Sequence, residues 1–164
     1  MDHMNHPNAN HLNANHLNTN LNPRQQWICS RICDDQNKVN IFQVGRDKLS
    51  EYISYLNNLH ESSRSECIVI NKSYMRYIDS LLSSIECGNI YIGELVIDNE
   101  ETIPVSYSSE VHGILIAIQR INNRIDNLNR HINFLADALH SARTDQDIDS
   151  LCVQIQSIEI HKNT

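Results

Sequence analysis

The sequence predicts an α+β fold, with a small mixed sheet and two packed helices, followed by a long C-terminal coiled-coil helix and a short terminal helix. Two observations carry this prediction. Short β-branched and aromatic stretches alternate with helical periodicities between residues 25 and 107. Beyond residue 108, apolar residues recur at steps of three and four for about four heptads. We therefore divide the chain into a tail, a head, a long helix and a short helix: 1–24, 25–107, 108–143 and 144–164.

The tail is rich in Asn and His and is predicted to be disordered. Residues 5–19 read NHPNA-NHLNA-NHLNT, a five-residue repeat with few large apolar side chains. Ordering it would cost backbone entropy with almost no burial in return. The start of the chain lacks the basic and then apolar layout of a signal peptide, and its five cysteines are an odd number. We therefore expect reduced thiols in an intracellular protein of the cytoplasm, or of the host cytoplasm if the protein is viral.

The head is predicted to follow the order β-β-α-β-α-β-β. Half-buried strands alternate polar and apolar side chains, whereas the two helices space their apolar residues at three and four positions. Asp47 and Ser73 are residues typical of helix N-caps, and Gly88 is typical of the position after a helix. The predicted elements are strands at 27–33 and 39–44, a helix around 49–59, a strand at 67–70, a helix around 73–87, and a hairpin of 90–97 with 102–107.

One stretch of the head resembles a known family. Ile41-Phe42-Gln43-Val44-Gly45-Arg46 ends the predicted strand pair directly before a helix. This arrangement resembles the GIY-YIG nuclease-type module, in the divergent form carried by large DNA viruses and phages. The resemblance covers residues 27–85 and implies that family's fold for the head. The corresponding positions in this chain are Gln43, Gly45, Arg46, Tyr52 and Asp79.

The resemblance also implies that a nuclease site would be degenerate. The second triplet of the family corresponds to Gln43-Val44-Gly45, which lacks the tyrosine hydroxyl. Tyr52 stands where the family has a catalytic arginine, and Asp79 is the acid nearest to the place of its metal-binding glutamate. Cleaving a phosphodiester requires both the arginine and the metal-holding carboxylate. The resemblance therefore implies a catalytically dead module.

The strongest pattern in the sequence is the apolar seam of the long helix. From Val111 to Leu139 the apolar residues follow steps of three and four without an interruption, as in a coiled coil. The alternative, that this helix is part of the core of its own domain, stays open, since an apolar stripe at helical spacing also fits a core helix. The residues predicted to mediate self-association are Ile114, Ile118, Ile121, Ile125, Leu128, Ile132, Leu135 and Leu139.

A second, shorter seam follows in the terminal helix. Thr144 to Asp147 resemble a capping box, so a new helix is predicted to start there. Its apolar residues again follow helical steps: Ile148, Leu151, Ile155 and Ile158.

Charge and motifs narrow the function classes. The formal net charge is −7, and the 13 basic residues form no run, which disfavours nucleic-acid binding. No apolar stretch reaches the length of a membrane helix. No motif identifies a catalytic residue, a metal site, a cofactor or a small-molecule ligand. We predict a non-enzymatic protein that forms a homodimer or homotrimer through its coiled coil, with a head that serves an unidentified interaction. The alternatives are a GIY-YIG-like nucleic-acid module and a monomeric adaptor with the long helix as its core.

Overall fold

A computed structural model describes residues 21–88, 91–98, 100–141 and 145–162 of the chain. This part is mostly helical, with one small antiparallel sheet of two strands, so the fold is a mixed α+β fold. None of the described helices combines the length and the hydropathy needed to cross a membrane. The elements are α1 Pro23–Ser63, β1 Cys67–Asn71, α2 Lys72–Glu86, β2 Thr102–Ser106, α3 Tyr107–Ser141 and α4 Asp145–Lys162. The repeat at 5–19 and Thr144 of the predicted capping box lie outside the described residues.

The chain divides into two compact units, to which both long helices contribute. Unit 1 contains the described residues up to Val39 and those from Asn127 onwards. It therefore comprises the first part of α1, the second part of α3, and α4. Unit 2 contains residues 40–126, and so holds the rest of the two long helices together with α2 and the sheet.

The first predicted strand pair is wrong, because residues 27–44 belong to the helix α1. The physical reason is that two core positions of this helix are not occupied by large apolar residues, which hides the helical period. Ile28, Ile32, Val39, Phe42, Leu49, Tyr52 and Leu56 are buried, and the missing steps of this period fall on Asp35 and Gly45. Both of these residues are also buried. In sequence, this continuous helix resembles a strand–turn–strand unit. The reason is that an acid and a glycine occupy core positions and that a polar run surrounds Asp35. Asp47 consequently lies inside α1 and does not start a helix.

The sheet is smaller than predicted and is purely antiparallel. β1 pairs with β2 with Ile68 opposite Val105 and Ile70 opposite Ile103, so four β-branched side chains meet across the two strands. The sequence instead predicts that 102–107 pairs with 90–97. In the structure the described residues of that segment, 91–97, form no strand. The prediction of a mixed sheet is therefore corrected to a two-stranded antiparallel one.

Helix α2 begins and ends with identifiable caps. Asn71, rather than the predicted Ser73, is the N-cap: its side-chain oxygen accepts a hydrogen bond from Tyr74 N at 3.1 Å. At the other end, Gly88 has the left-handed φ of 74° and donates its N–H to Ile85 O. Arg124 on α3 also donates to Ile85 O, at 2.8 Å, and so satisfies a carbonyl of the last turn of α2.

Helices α3 and α4 are present where the sequence predicts a long and a short C-terminal helix. α3 spans 35 residues and has Glu110 in its first turn. In α4, Ile148, Leu151 and Ile155 are buried, in agreement with the helical steps of the sequence.

Candidate functional site

The predicted self-association residues of α3 are largely buried within the single chain. In unit 2, Ile114, Ile121 and Ile125 are buried, and Ile118 is half-buried. In unit 1, Ile132 and Leu135 are buried, whereas Leu128 and Leu139 are half-buried. A second copy could reach the buried side chains only if each unit opened. This arrangement is what the alternative with a core helix requires.

The residues that carry the GIY-YIG resemblance are dispersed along helices. Gln43, Gly45, Arg46 and Tyr52 lie on α1, and Asp79 lies on α2. The strand pair on which the resemblance depends is absent, since those residues are helical. Arg46 donates a hydrogen bond from Nη1 to Asn122 Oδ1 at 3.0 Å, so this guanidinium joins α1 to α3. Gly45 faces Leu81 and Ile85 of α2 and packs in the core of unit 2.

Two of these positions, Tyr52 and Asp79, meet in a cluster that the sequence does not predict. Tyr52 is fully buried, and its ring lies edge-on to Tyr74, with 5.0 Å between the centroids. Its hydroxyl donates to Glu110 Oε2 at 3.4 Å. Tyr55 extends the cluster, because its ring centroid lies 4.8 Å from that of Tyr74 and its hydroxyl accepts from Asn71 N at 2.9 Å.

The electrostatics of this cluster favour neutral groups. Burial is the main cause that raises the pKa of the Tyr52 hydroxyl, and the Glu110 and Asp79 carboxylates raise it further. Burial and then the Asp79 carboxylate also raise the pKa of Glu110, against the lowering effect of the Tyr52 hydrogen bond. Burial raises the pKa of Asp79 as well. The Tyr52 hydroxyl therefore keeps its proton more firmly than an exposed tyrosine, and its ring packs against Tyr74 in the core of unit 2.

A second unpredicted arrangement is a buried Asp–His pair in unit 1. His131 Nδ1 lies 2.5 Å from Asp35 Oδ2, and both side chains are almost fully buried. The carboxylate fixes the imidazole through Nδ1, whereas the buried Nε2 has no hydrogen-bond partner among the described residues. An acid orienting a histidine is part of many hydrolytic sites, but here no described nucleophile completes such a set. We interpret the pair as a polar tie between α1 and α3.

Burial limits the reactivity of two of the five cysteines, Cys29 and Cys152. Burial, followed by the neighbouring thiol of Cys33, raises the pKa of Cys29, and burial also raises that of Cys152. Thiols in apolar surroundings are inert, because the thiolate is the nucleophile and the metal ligand. Cys67 and Cys87 are exposed and unpaired. Across the described residues, no group of three or more His, Cys, Asp or Glu side chains is placed to hold a metal ion.

The most exposed apolar segment of unit 2 is 91–98, which we call the strap. It lacks helix and strand structure and connects the region after α2 to the loop before β2. Tyr91 is 77% exposed, Val96 65% and Ile97 58%. Two cavities of about 320 Å³ and about 460 Å³ border the strap, and Gly93 and Glu94 line both of them. The strap therefore combines exposed apolar side chains with two adjacent hollows.

Comparisons with protein-family models, with curated proteins and with solved structures find no match for this chain. The assignment of a function therefore depends on the geometry of its own residues.

Sequence reasoning missed three features of this geometry. The helical spacing that continues through Asp35 toward Val39 could have placed Asp35 on the buried face of a helix, but it does not identify His131 as the partner. The strap is visible in the sequence as an apolar stretch, but its β-branched residues indicate a strand. No sequence signal brings Tyr52 together with Glu110, since they lie 58 residues apart.

Proposed function

We propose that this chain is a monomeric, non-enzymatic adaptor, in which α3 is a core helix and unit 2 presents the partner-binding surface. The observation that carries the proposal is the burial of five of the eight seam residues of α3 within one chain: Ile114, Ile121, Ile125, Ile132 and Leu135. A coiled-coil interface would instead leave these side chains exposed in the monomer and bury them in the oligomer.

The decisive experiment replaces Ile125 by Asp in the full-length chain. Ile125 is 5% exposed, so a carboxylate there is buried without a partner, at a cost of about 3–5 kcal/mol. Because small domains have a total stability of about 5–15 kcal/mol, we expect this loss to lower the midpoint of thermal unfolding, followed by circular dichroism, by roughly 10 °C or more. The matched control is Ile116→Asp on the same helix, because Ile116 is 37% exposed. We expect this variant to remain folded.

The same experiment tests self-association through α3, which remains the alternative prediction. Light scattering of the wild-type chain at micromolar concentration should report a monomer. A wild-type dimer or trimer that Ile125→Asp converts into a folded monomer would overturn the proposal and support the coiled coil.

The nucleic-acid alternative has its own test. The proposal predicts that the chain does not cleave DNA in the presence of a divalent metal ion, and that DNA binding sensitive to salt is not detected. Metal-dependent cleavage that Asp79→Ala abolishes would replace the adaptor proposal by the nuclease-like one.

A further inference from the structure

The strap lies along α2 and is hydrogen-bonded to it at one end, although its centre is exposed. Ser73 Oγ donates to Asp98 Oδ1 at 2.7 Å near the N-terminal end of α2. Near the C-terminal end, Ser84 Oγ donates to Leu81 O at 2.8 Å, and Tyr91 O lies 3.4 Å from the same hydroxyl oxygen. The strap therefore runs antiparallel to the helix. A segment held in this way presents a preformed surface, so binding to it would cost less ordering entropy than binding to a free loop.

Apolar side chains and hollows alternate on this surface. Tyr91, Leu95, Val96 and Ile97 are all exposed apolar residues within seven consecutive positions. The smaller cavity lies against Arg76, Tyr77 and Ser80, and the larger lies against Lys48, Tyr74 and Tyr77. Exposed apolar patches beside such hollows are typical of protein-interaction sites.

The charge of the strap restricts the chemistry of the occupant. Between residues 91 and 101 the sequence has four carboxylates, those of Glu94, Asp98, Glu100 and Glu101, and no basic residue or histidine. Lys72 lies 3.4 Å from Glu101, and each cavity includes one basic residue, so the balance remains negative. A nucleic acid or an anionic lipid headgroup would add further negative charge. A second copy of this chain, whose net charge is −7, would do the same.

We propose that the strap is the docking surface for a basic and apolar segment of a partner protein. This inference rests on the proposed function and identifies the surface that the adaptor uses. Apolar side chains of the partner contact Val96, Ile97 and Tyr91, while its Lys or Arg side chains face Glu94 and the neighbouring carboxylates. The charges set the encounter rate and the choice of partner, and the apolar contacts supply most of the affinity.

The experiment measures binding of labelled synthetic peptides to the full-length chain by fluorescence anisotropy. The probe is a peptide in which Val alternates with Lys, about as long as the strap. Two companions replace all Lys by Glu or all Val by Ser. We expect the Val–Lys peptide to bind at least about tenfold more tightly than either companion, and its affinity to fall as salt is raised.

Two variants locate the site. Val96→Ser combined with Ile97→Ser should weaken the Val–Lys peptide by about tenfold, and Glu94→Gln should weaken it less while reducing its salt dependence. The matched control is Val153→Ser in unit 1, because Val153 is 63% exposed, close to the 65% of Val96. This control should leave binding unchanged.

Several outcomes would overturn the inference. The first is equal binding of the three peptides, and the second is a Val153→Ser control that weakens binding as much as the double strap variant does. The third is self-association of the chain that the double strap variant abolishes, because this result would assign the surface to a second copy. These results are distinct from a failure of the proposed function, which the oligomeric state and the Ile125→Asp variant report independently.

Discussion

A buried polar pair joins α1 to α3 in unit 1, whereas a fully buried aromatic side chain joins α1 to α2 in unit 2. In unit 1, His131 and Asp35 form a buried pair, and Arg31 Nε donates to Glu159 at 2.7 Å, which ties α1 to α4. In unit 2, α1 and α2 meet through the rings of Tyr52 and Tyr74, and the deepest hydroxyl makes only a long hydrogen bond.

Different kinds of contact therefore stabilise two parts of the same helix, α1. Packing in unit 2 is sensitive to volume, because a deleted ring leaves a cavity. A buried polar pair in unit 1 is sensitive to the loss of one partner, because the other is then left unsatisfied. The variants below separate these two modes.

The largest effect is expected in unit 2, for Tyr52→Ala. Tyr52 is fully buried, so loss of its ring should lower the free energy of unfolding by about 4 kcal/mol. Tyr52→Phe keeps the ring and removes only a hydroxyl whose hydrogen bond is 3.4 Å long, so it should cost about 1 kcal/mol or less. Urea denaturation measures both. A Phe variant as unstable as the Ala variant would mean that the hydroxyl, and not packing, holds unit 2.

Unit 1 should respond to Asp35→Ala with a loss of about 3 kcal/mol, because His131 then has two buried ring nitrogens without partners. The double variant Asp35→Leu and His131→Leu should recover most of this loss, since two apolar residues can replace a buried polar pair. Hydrogen exchange should increase more in unit 1 than in unit 2. Additive single-variant effects would contradict direct coupling between these side chains.

The core positions of the helices also explain which helices the sequence could predict. The helices α3 and α4 are predictable because their core positions are filled with Ile and Leu at an unbroken period. α1 has the same kind of period, but Asp35 occupies one core position and Gly45 another, so local pattern reading assigns strands and a turn. Asp35 is tolerated there because His131, 96 residues away, supplies its partner. Such a compensation is a tertiary contact, and local sequence patterns do not contain it.

The strap and β2 illustrate the same limit at the level of strand pairing. Residues 91–97 and 102–106 have similar β-branched composition, and adjacency favours a hairpin. In the structure, β2 instead pairs with β1, where Ile68 and Ile70 offer a buried face. The segment that pairs with β2 is therefore decided by the core beneath it and not by its own β propensity.

Gly45→Ala should produce a smaller, stabilising effect. Gly45 lies within α1, and a methyl group there would have Ile85 Cδ1 as its nearest neighbour, at 3.8 Å, which is an ordinary contact. Alanine restricts the unfolded chain and favours the helix, so we expect a gain of about 1 kcal/mol. Thermal denaturation measures it. A loss of stability would show that α1 and α2 approach too closely to accept a methyl group.

The smallest effect concerns Glu110 and depends on pH. Its pKa is raised, mainly by burial and then by Asp79, so the folded state binds this proton more tightly than the unfolded state does. The free energy of unfolding therefore falls as the pH rises from the ordinary carboxyl range through the raised pKa. Because Gln resembles the protonated acid, Glu110→Gln should be more stable than the wild type at neutral pH and equal to it in acid. Asp79→Asn, which removes the neighbouring charge, should reduce this difference. If Glu110→Gln were instead less stable at neutral pH, the ionised carboxylate would stabilise unit 2, and polar contacts would matter there as much as they do in unit 1.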